Sequence, residues 1–334
     1  MPDRRSPARR LRPVLLLAPL VVLPLLLDSF SLYQATMILI YVTAIIGLDI
    51  VFGRAGVLSV AQAVFIGIGA YTAAWMSRTT TVSIGVELIA AAVIAGLAAI
   101  LVGLPALRVS GLRLAILTFA FVELFQWVVT TFASITGGTQ GLLVNPGGFG
   151  TVTTADPLVG YGLAAVIALL ATWLVIRLQR NPIGRSMAAV KNSNLLAESA
   201  GVSTVRTKLT AFMLSGMLGG LAGVVLAHVS GSVTPAGFTV FSSLNLLVAL
   251  ILGGTGRVHG AWLGAAYVVL MPELFARLGI PNAYPIVNGA VLMLLLVVMP
   301  GGIAGVLDGI RDRVRRSGAA PPPPLTPVPE RSSS

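Results

Sequence analysis

Ten apolar runs follow one another along the chain, at residues 13–27, 30–52, 57–77, 83–106, 112–133, 158–176, 209–229, 241–256, 260–278 and 284–300, each bounded by Gly, Pro or charged residues. A helix rising about 1.5 Å per residue needs about 20 apolar residues to cross the hydrocarbon core of a bilayer, and most of the runs approach that length. The pattern predicts an all-α, polytopic membrane protein with about ten transmembrane helices. Two stretches break it. Residues 177–208, RLQRNPIGRSMAAVKNSNLLAESAGVSTVRTK, place a long basic loop between two runs, and Gly53 and Gly56 interrupt GLDIVFGRAGVLSVAQAVFIGIGAY between the second run and the third.

Composition agrees with the pattern. Hydrophobic residues make up 56% of the chain and charged residues 10%, with a mean hydropathy of +0.94, whereas soluble domains carry about 25% charged residues. There is no cysteine, which excludes disulfides and thiolate metal sites. A net charge of +11 would point to nucleic acid in a soluble protein. Here its placement has a simpler cause. With the N-terminus inside, every one of the 22 Lys and Arg residues except Arg78 and Arg277 falls on the cytoplasmic side, as the positive-inside rule requires.

The expected organisation is a basic cytoplasmic N-terminus at 1–12, a transmembrane domain at 13–300 containing the cytoplasmic loop 177–208, and a cytoplasmic tail at 301–334. Pro321–Pro329 cannot build helix or core, so that tail is expected to be disordered and dispensable. A basic start followed by about 15 apolar residues also describes a secretory signal peptide. Asp28-Ser29-Phe30 offers no small-residue cleavage site, however, and loss of the first run would invert every later span. An uncleaved first span is therefore expected.

Candidate chemistry is sparse. Catalysis within a membrane needs converging His, Asp, Glu or activated Ser, and the two histidines, His228 and His259, fall near opposite ends of spans. Each is expected to be packed or interfacial, with no shared metal. Gly67-Ile68-Gly69, the GLRLAIL stretch at Gly111 and the GGTG at 253–256 lack a following GK[ST] and are not phosphate loops. In SGMLGGLAG, Gly216 and Gly220 lie four apart, as do Gly219 and Gly223, so each pair shares a helix face suited to close packing.

Four acids lie in or beside spans. Asp49 and Glu273 fall near span ends, where water or headgroups can solvate them, and Glu87 starts a span; a structural role is expected for all three. Glu123 sits mid-span in TFAFVELFQW with Thr118 and Gln126 nearby, so it is expected to face the protein interior or water, either on a path or as a structural acid. At the Gly53–Gly56 break, Ser59 and Gln62 are polar groups at the helix restart; a broken helix beside a cavity and a plain turn capped by Ser59 both fit. The nearly uncharged segment Ser134–Asp156 is either a plain connector or a surface that meets another protein or lines an entrance.

The basic loop reads as one or two short amphipathic helices. Pro182 suits a first turn, Ala188 and Ala189 favour helix, and Gly201 is a stop. Such a helix can dock into a groove of another protein, or lie at the headgroups held by Arg185 and Lys191.

The segment NPIGRSMAAVKNSNLLAESAGVSTVRTKLTAFMLSGMLGGLAG resembles the "EAA-type" loop and following span of ABC importer permeases of the branched-chain amino-acid type. GLDIVFGRAGVLSVAQAVFIGIGAY, GLRLAILTFAFVELFQ, TGGTQGL and LLVALILGGTGRVHGAWLGA resemble the same family, in the same order, over most of Gly47–Gly264, and TGGTQGL is more similar to the M-type than to the H-type subunit. The resemblance implies an ABC importer permease fold in a bacterial-type inner membrane, with both termini cytoplasmic. It implies a second permease subunit forming a heterodimer, an extracytoplasmic substrate-binding protein, and two cytoplasmic ATPase subunits that use ATP, with no cofactor on this chain and no nucleic acid.

It also implies that 182–201 couples to the ATPases, with Pro182, Gly184, Arg185, Ala188, Ala189, Glu198 and Gly201 in that loop. Ser59, Gln62, Thr118, Glu123 and Asn245 are the candidates for the translocation path. Asn245 stands where such permeases often carry an acid. Two other classes stay open at this level. An ion-coupled secondary transporter would also use interior acids and broken helices, though it would not need the long helical loop. An intramembrane enzyme would need catalytic groups that converge.

Overall fold

The computed structural model describes residues 27–298, apart from 81, 82, 108, 110, 111, 147, 150, 151, 154, 155, 281 and 282. The N-terminus 1–12, the first apolar run except Leu27, and the tail 301–334 lie outside the described residues.

Long helices dominate, as the apolar runs require. They are α1 (Ser29–Asp49, prolonged by a π turn, Ile50–Arg54), α2 (Gln62–Thr79), α3 (Ile84–Ala106), α4 (Leu112–Thr131), α5 (Pro157–Arg180), α6 (Pro182–Asn192), α7 (Asn194–Ser199), α8 (Thr204–Ser230), α9 (Val240–Gly253), α10 (Val258–Arg277) and α11 (Ala283–Val298). Six stretches are long and apolar enough to cross a membrane: Ser29–Arg54, Ile84–Ala106, Arg113–Thr131, Pro157–Arg180, Thr204–Ser230 and Val258–Arg277. The expected ten is therefore not reached among the described residues.

The runs at 57–77 and 241–256 are shorter as helices, for a local reason in each case. Residues 57–61 are not helical, so α2 begins only at Gln62. Helix α9 stops at Gly253, where Gly254 turns the chain at φ 106°. Opposite the end that carries α6 and α7, Leu142–Leu143 pairs antiparallel with Ser232–Val233, and Gly148–Phe149 with Val152–Thr153. Part of the Ser134–Asp156 segment thus closes the other end of the bundle.

Helix α8 is the centre, packed on α3, α2 and α1. Its glycines explain how. Gly216 and Gly220 face α3, where a Cβ would stand 2.5 Å from the Ala95 carbonyl and 2.6 Å from that of Ala91 respectively. Gly219 and Gly223 face α2, against Phe65 and the Ile66 carbonyl. In lipid no hydrophobic drive separates helix contact from tail contact, so this backbone-to-backbone approach, with its dispersion energy, is what holds the three helices together. In contrast, α3 and α4 expose apolar rows, including Ile89, Val93, Leu97 and Leu101 on α3 and Ile116, Phe119, Leu124 and Trp127 on α4.

Candidate functional site

The break after α1 is buried. Val57, Ser59, Val60 and Ala61 are shielded, and non-helical backbone at such depth survives only if its polar groups are met internally, each unmet group costing several kcal/mol, on the order of 2–7. The chain supplies the partners from far away in sequence. The Val57 amide donates to the Val51 carbonyl at 3.0 Å. That of Val60 donates to Thr118 Oγ1 at 3.0 Å, and that of Ala63 donates to Ser243 Oγ at 3.1 Å. Ser59 Oγ accepts from the Ala61 amide at 3.4 Å. One turn deeper, Gln62 Nε2 donates to the Ala44 carbonyl at 2.9 Å, while its Oε1 accepts from Ser215 Oγ at 2.8 Å.

The five residues expected on a path therefore divide among three places. Ser59, Gln62 and Thr118 are buried and committed to holding the break. Asn245, partly buried, accepts from Asn288 Nδ2 at 2.7 Å, and Asn288 in turn accepts from the Tyr267 hydroxyl at 2.8 Å, so this group ties α9, α10 and α11. Glu123 stands apart on the exposed face of α4 and makes no hydrogen bond or ion pair with the described residues.

The other acids are paired. Asp49 was expected to be solvated at its span end; it is instead 2% exposed and ion-paired to Arg54 Nε at 3.0 Å. The π turn is what swings Arg54 back onto it. Its Oδ1 also accepts from the Gly256 amide at 2.6 Å. Glu87 and His228 form a second buried pair, and Glu273 pairs with Arg277 one helical turn on. Among the described residues no group of three or more His, Asp or Glu is placed to hold a metal ion.

The loop between α5 and α8 folds as two short helices. Pro182 opens α6 in its first turn. The Ser193 hydroxyl caps α7, and that of Ser203 caps α8. Gly201, at φ 78°, ends α7 with its amide on the Glu198 carbonyl at 2.9 Å, and the Glu198 carboxylate accepts from the Thr204 hydroxyl at 2.7 Å. One face is anchored by buried Met187, Val190 and Ala197. Gly184 sits against the Leu178 carbonyl, where no Cβ would fit. The opposite face leaves Ile183, Leu195 and Leu196 bare, beside exposed Pro182, Arg185 and Ala188, with Ala189 half-buried.

Three features escaped the sequence reading. The Glu87–His228 pair could have been found from the order of spans, since both residues fall at the same membrane level. Lys191 is a cation on a short amphipathic helix, yet its Nζ donates to the Gly53 carbonyl at 2.6 Å. Leu195 and Leu196 are two adjacent apolar residues left bare in the loop.

Comparison with known proteins gives one consistent result. The pattern of the family described as branched-chain amino acid transport system, permease component, matches residues 31–299. The chain is 30% identical over 326 residues to the high-affinity branched-chain amino acid transport system permease protein LivM of Escherichia coli K12, covering 90% of this chain and 76% of that protein. To the LivM protein of Salmonella typhimurium LT2 it is also 30% identical, over 86% of this chain and 73% of that one. Likeness to the E. coli K12 LivH protein is 28%, over 46% of this chain and 49% of that one. No solved structure matches. The chain therefore belongs to the branched-chain amino acid transport permease family, is of the M type, and is a multi-pass permease subunit of an ABC-type transport system, not an enzyme.

Proposed function

We propose that this chain is one half of a paired permease in an ATP-driven importer of branched-chain or other small aliphatic amino acids, coupled to its ATPases through residues 182–201. The observation that carries this reading is the two-sided loop. Met187, Val190 and Ala197 fasten it to the spans while Ile183, Leu195 and Leu196 point away, uncovered. Apolar side chains on a rigid element outside the bundle suit a groove on a partner protein. The loop's basic residues support a cytoplasmic position for it and for both termini, on the side where ATP is available.

The remaining parts follow from that arrangement. An H-type permease is the second subunit, two ATPases supply ATP hydrolysis, and an extracytoplasmic binding protein delivers substrate; this chain binds no cofactor of its own. The names of the M-type relatives support the substrate class. Glu123 lines the path between the two permeases, because a mid-span carboxylate with no partner among the described residues is costly against lipid. Ser59, Gln62 and Thr118 hold the broken helix beside that path, and Asn245 supports it from α9.

Reconstitution with the partner subunits in liposomes tests the reading. Uptake of leucine, isoleucine or valine is expected to stop when lumenal ATP is removed with ion gradients intact. Uptake that instead follows the ion gradient without ATP would make the chain an ion-coupled secondary transporter.

A further inference from the structure

Helix α6 is tied at its last turn, through Lys191, into one cluster of charges and glycines. At its far end, Lys191 Nζ reaches the Gly53 carbonyl at 2.6 Å. In the last turn of α5, the Gln179 side-chain amide faces Arg54, and with its oxygen and nitrogen exchanged it accepts from Nη1 at 2.7 Å and Nη2 at 3.1 Å. Arg54 is held in turn by Asp49, and its Nη2 also reaches the Gly256 carbonyl at 3.3 Å. Asp49 closes the circle through the Gly256 amide at 2.6 Å.

Sterics make the same junction tight. Gly53-Arg54-Ala55-Gly56 and Gly253-Gly254-Thr255-Gly256 are two turns of identical glycine spacing that meet each other. A Cβ on Gly53 would collide with the Asp49 carboxylate and stand 2.8 Å from the Gly256 amide, and one on Gly56 would stand 2.9 Å from Lys191 Cγ. Gly56 and Gly256 both hold left-handed φ, at 71° and 77°. The end of α1, the end of α5, α6 and the α9–α10 turn thus meet in one network of side-chain contacts.

We infer that Asp49, Arg54 and Lys191 form a transmission clamp, which carries movement of the ATPase-docked helix α6 at once to the broken end of α1 and to the α9–α10 turn. The inference rests on the proposed coupling role of 182–201. It makes these three positioning residues, acting through α6 and not on substrate. A clamp of this kind biases the permease between two arrangements only while its links hold.

The decisive quantity is the number of ATP molecules hydrolysed per amino acid transported by the reconstituted complete importer. Lys191→Met is expected to raise that ratio about tenfold with the ATPases still bound, and Lys191→Arg to restore it. Arg54→Lys, which keeps the charge beside Asp49 but loses the fork that spans Gln179 and Gly256, is expected to raise it about threefold. An unchanged ratio in Lys191→Met overturns the clamp. So does loss of ATPase binding by an inserted Lys191→Met chain, which would make Lys191 a docking residue. If Lys191→Met does not assemble, an unchanged ratio in Arg54→Lys overturns it. A wild-type complex that binds no ATPase would instead overturn the proposed coupling function.

Discussion

Glu87 Oε2 and His228 Nε2 share a hydrogen bond of 2.6 Å, with both side chains 1% exposed. The first residue lies in the opening turn of α3 and the second near the end of α8, so the pair pins the two helices together at the end opposite α6. Farther along the same contact, Gly216 and Gly220 let the backbones touch. Removing one residue of the pair takes away a buried hydrogen bond of the other. Glu87→Ala or His228→Ala is expected to lower stability by about 3–5 kcal/mol, and the double variant by less than the sum of the two. Thermal unfolding of the purified chain in detergent, carried through the full double-mutant cycle, measures the coupling; strictly additive losses would show that the two residues act independently.

Packing at the glycine faces makes a sharper contrast. Gly223→Ala would drive a methyl into the Ile66 carbonyl and to 2.7 Å from the Ala70 amide, and is expected to destabilise by about 2 kcal/mol through forced separation of α2 and α8. Gly162→Ala on α5 meets nothing within 4 Å and is expected to be neutral or to stabilise by up to about 1 kcal/mol. The same unfolding assay reads both. Equal losses would mean that backbone flexibility, not contact, sets the cost.

These contrasts mark what a linear pattern can and cannot reveal. Six of the spans, the two loop helices and the SGMLGGLAG packing face were legible because lipid imposes an unbroken apolar run, Pro182 and Gly201 punctuate locally, and fourfold glycine spacing defines a face without reference to any other helix. How the restart at Gln62 is held was not legible. It depends on Thr118 and Ser243, residues distant in sequence, to take up the amides of Val60 and Ala63. Likewise Asp49 looked like a solvated span end because its link to Arg54 runs through a π turn that no periodicity announces.

At the loop, Gly201 has open space around it but holds φ 78°. Gly201→Pro cannot adopt that angle and loses the amide that meets the Glu198 carbonyl. Arg185→Glu reverses an exposed charge in the same loop, and Leu195→Glu places a charge on a bare apolar side chain. All three are expected to leave the chain inserted and paired with its second permease while reducing co-purification of the ATPases several-fold, by about 1–2 kcal/mol each. Normal co-purification of all three variants would remove this loop from the docking surface.

Glu123 supplies the test of the path. It lies one helical turn from Phe119 on one side and Trp127 on the other, both about half exposed, on a helix whose outer face is otherwise apolar. A carboxylate there costs about 2.5–3.5 kcal/mol against lipid, so its face is better matched to water or to a polar partner across the permease pair. An amino-acid ammonium passing that face would gain a charge-assisted contact of about 1.5 kcal/mol. Glu123→Gln is therefore expected to slow uptake about tenfold without changing insertion or assembly, whereas Glu123→Leu is expected to abolish it. The two readings of this face separate cleanly in the Leu variant. If α4 turned Glu123 to lipid, Leu would relieve an unfavourable burial, raise the yield of folded chain and leave transport intact. A better-expressed Glu123→Leu permease with normal uptake would put that face against the bilayer.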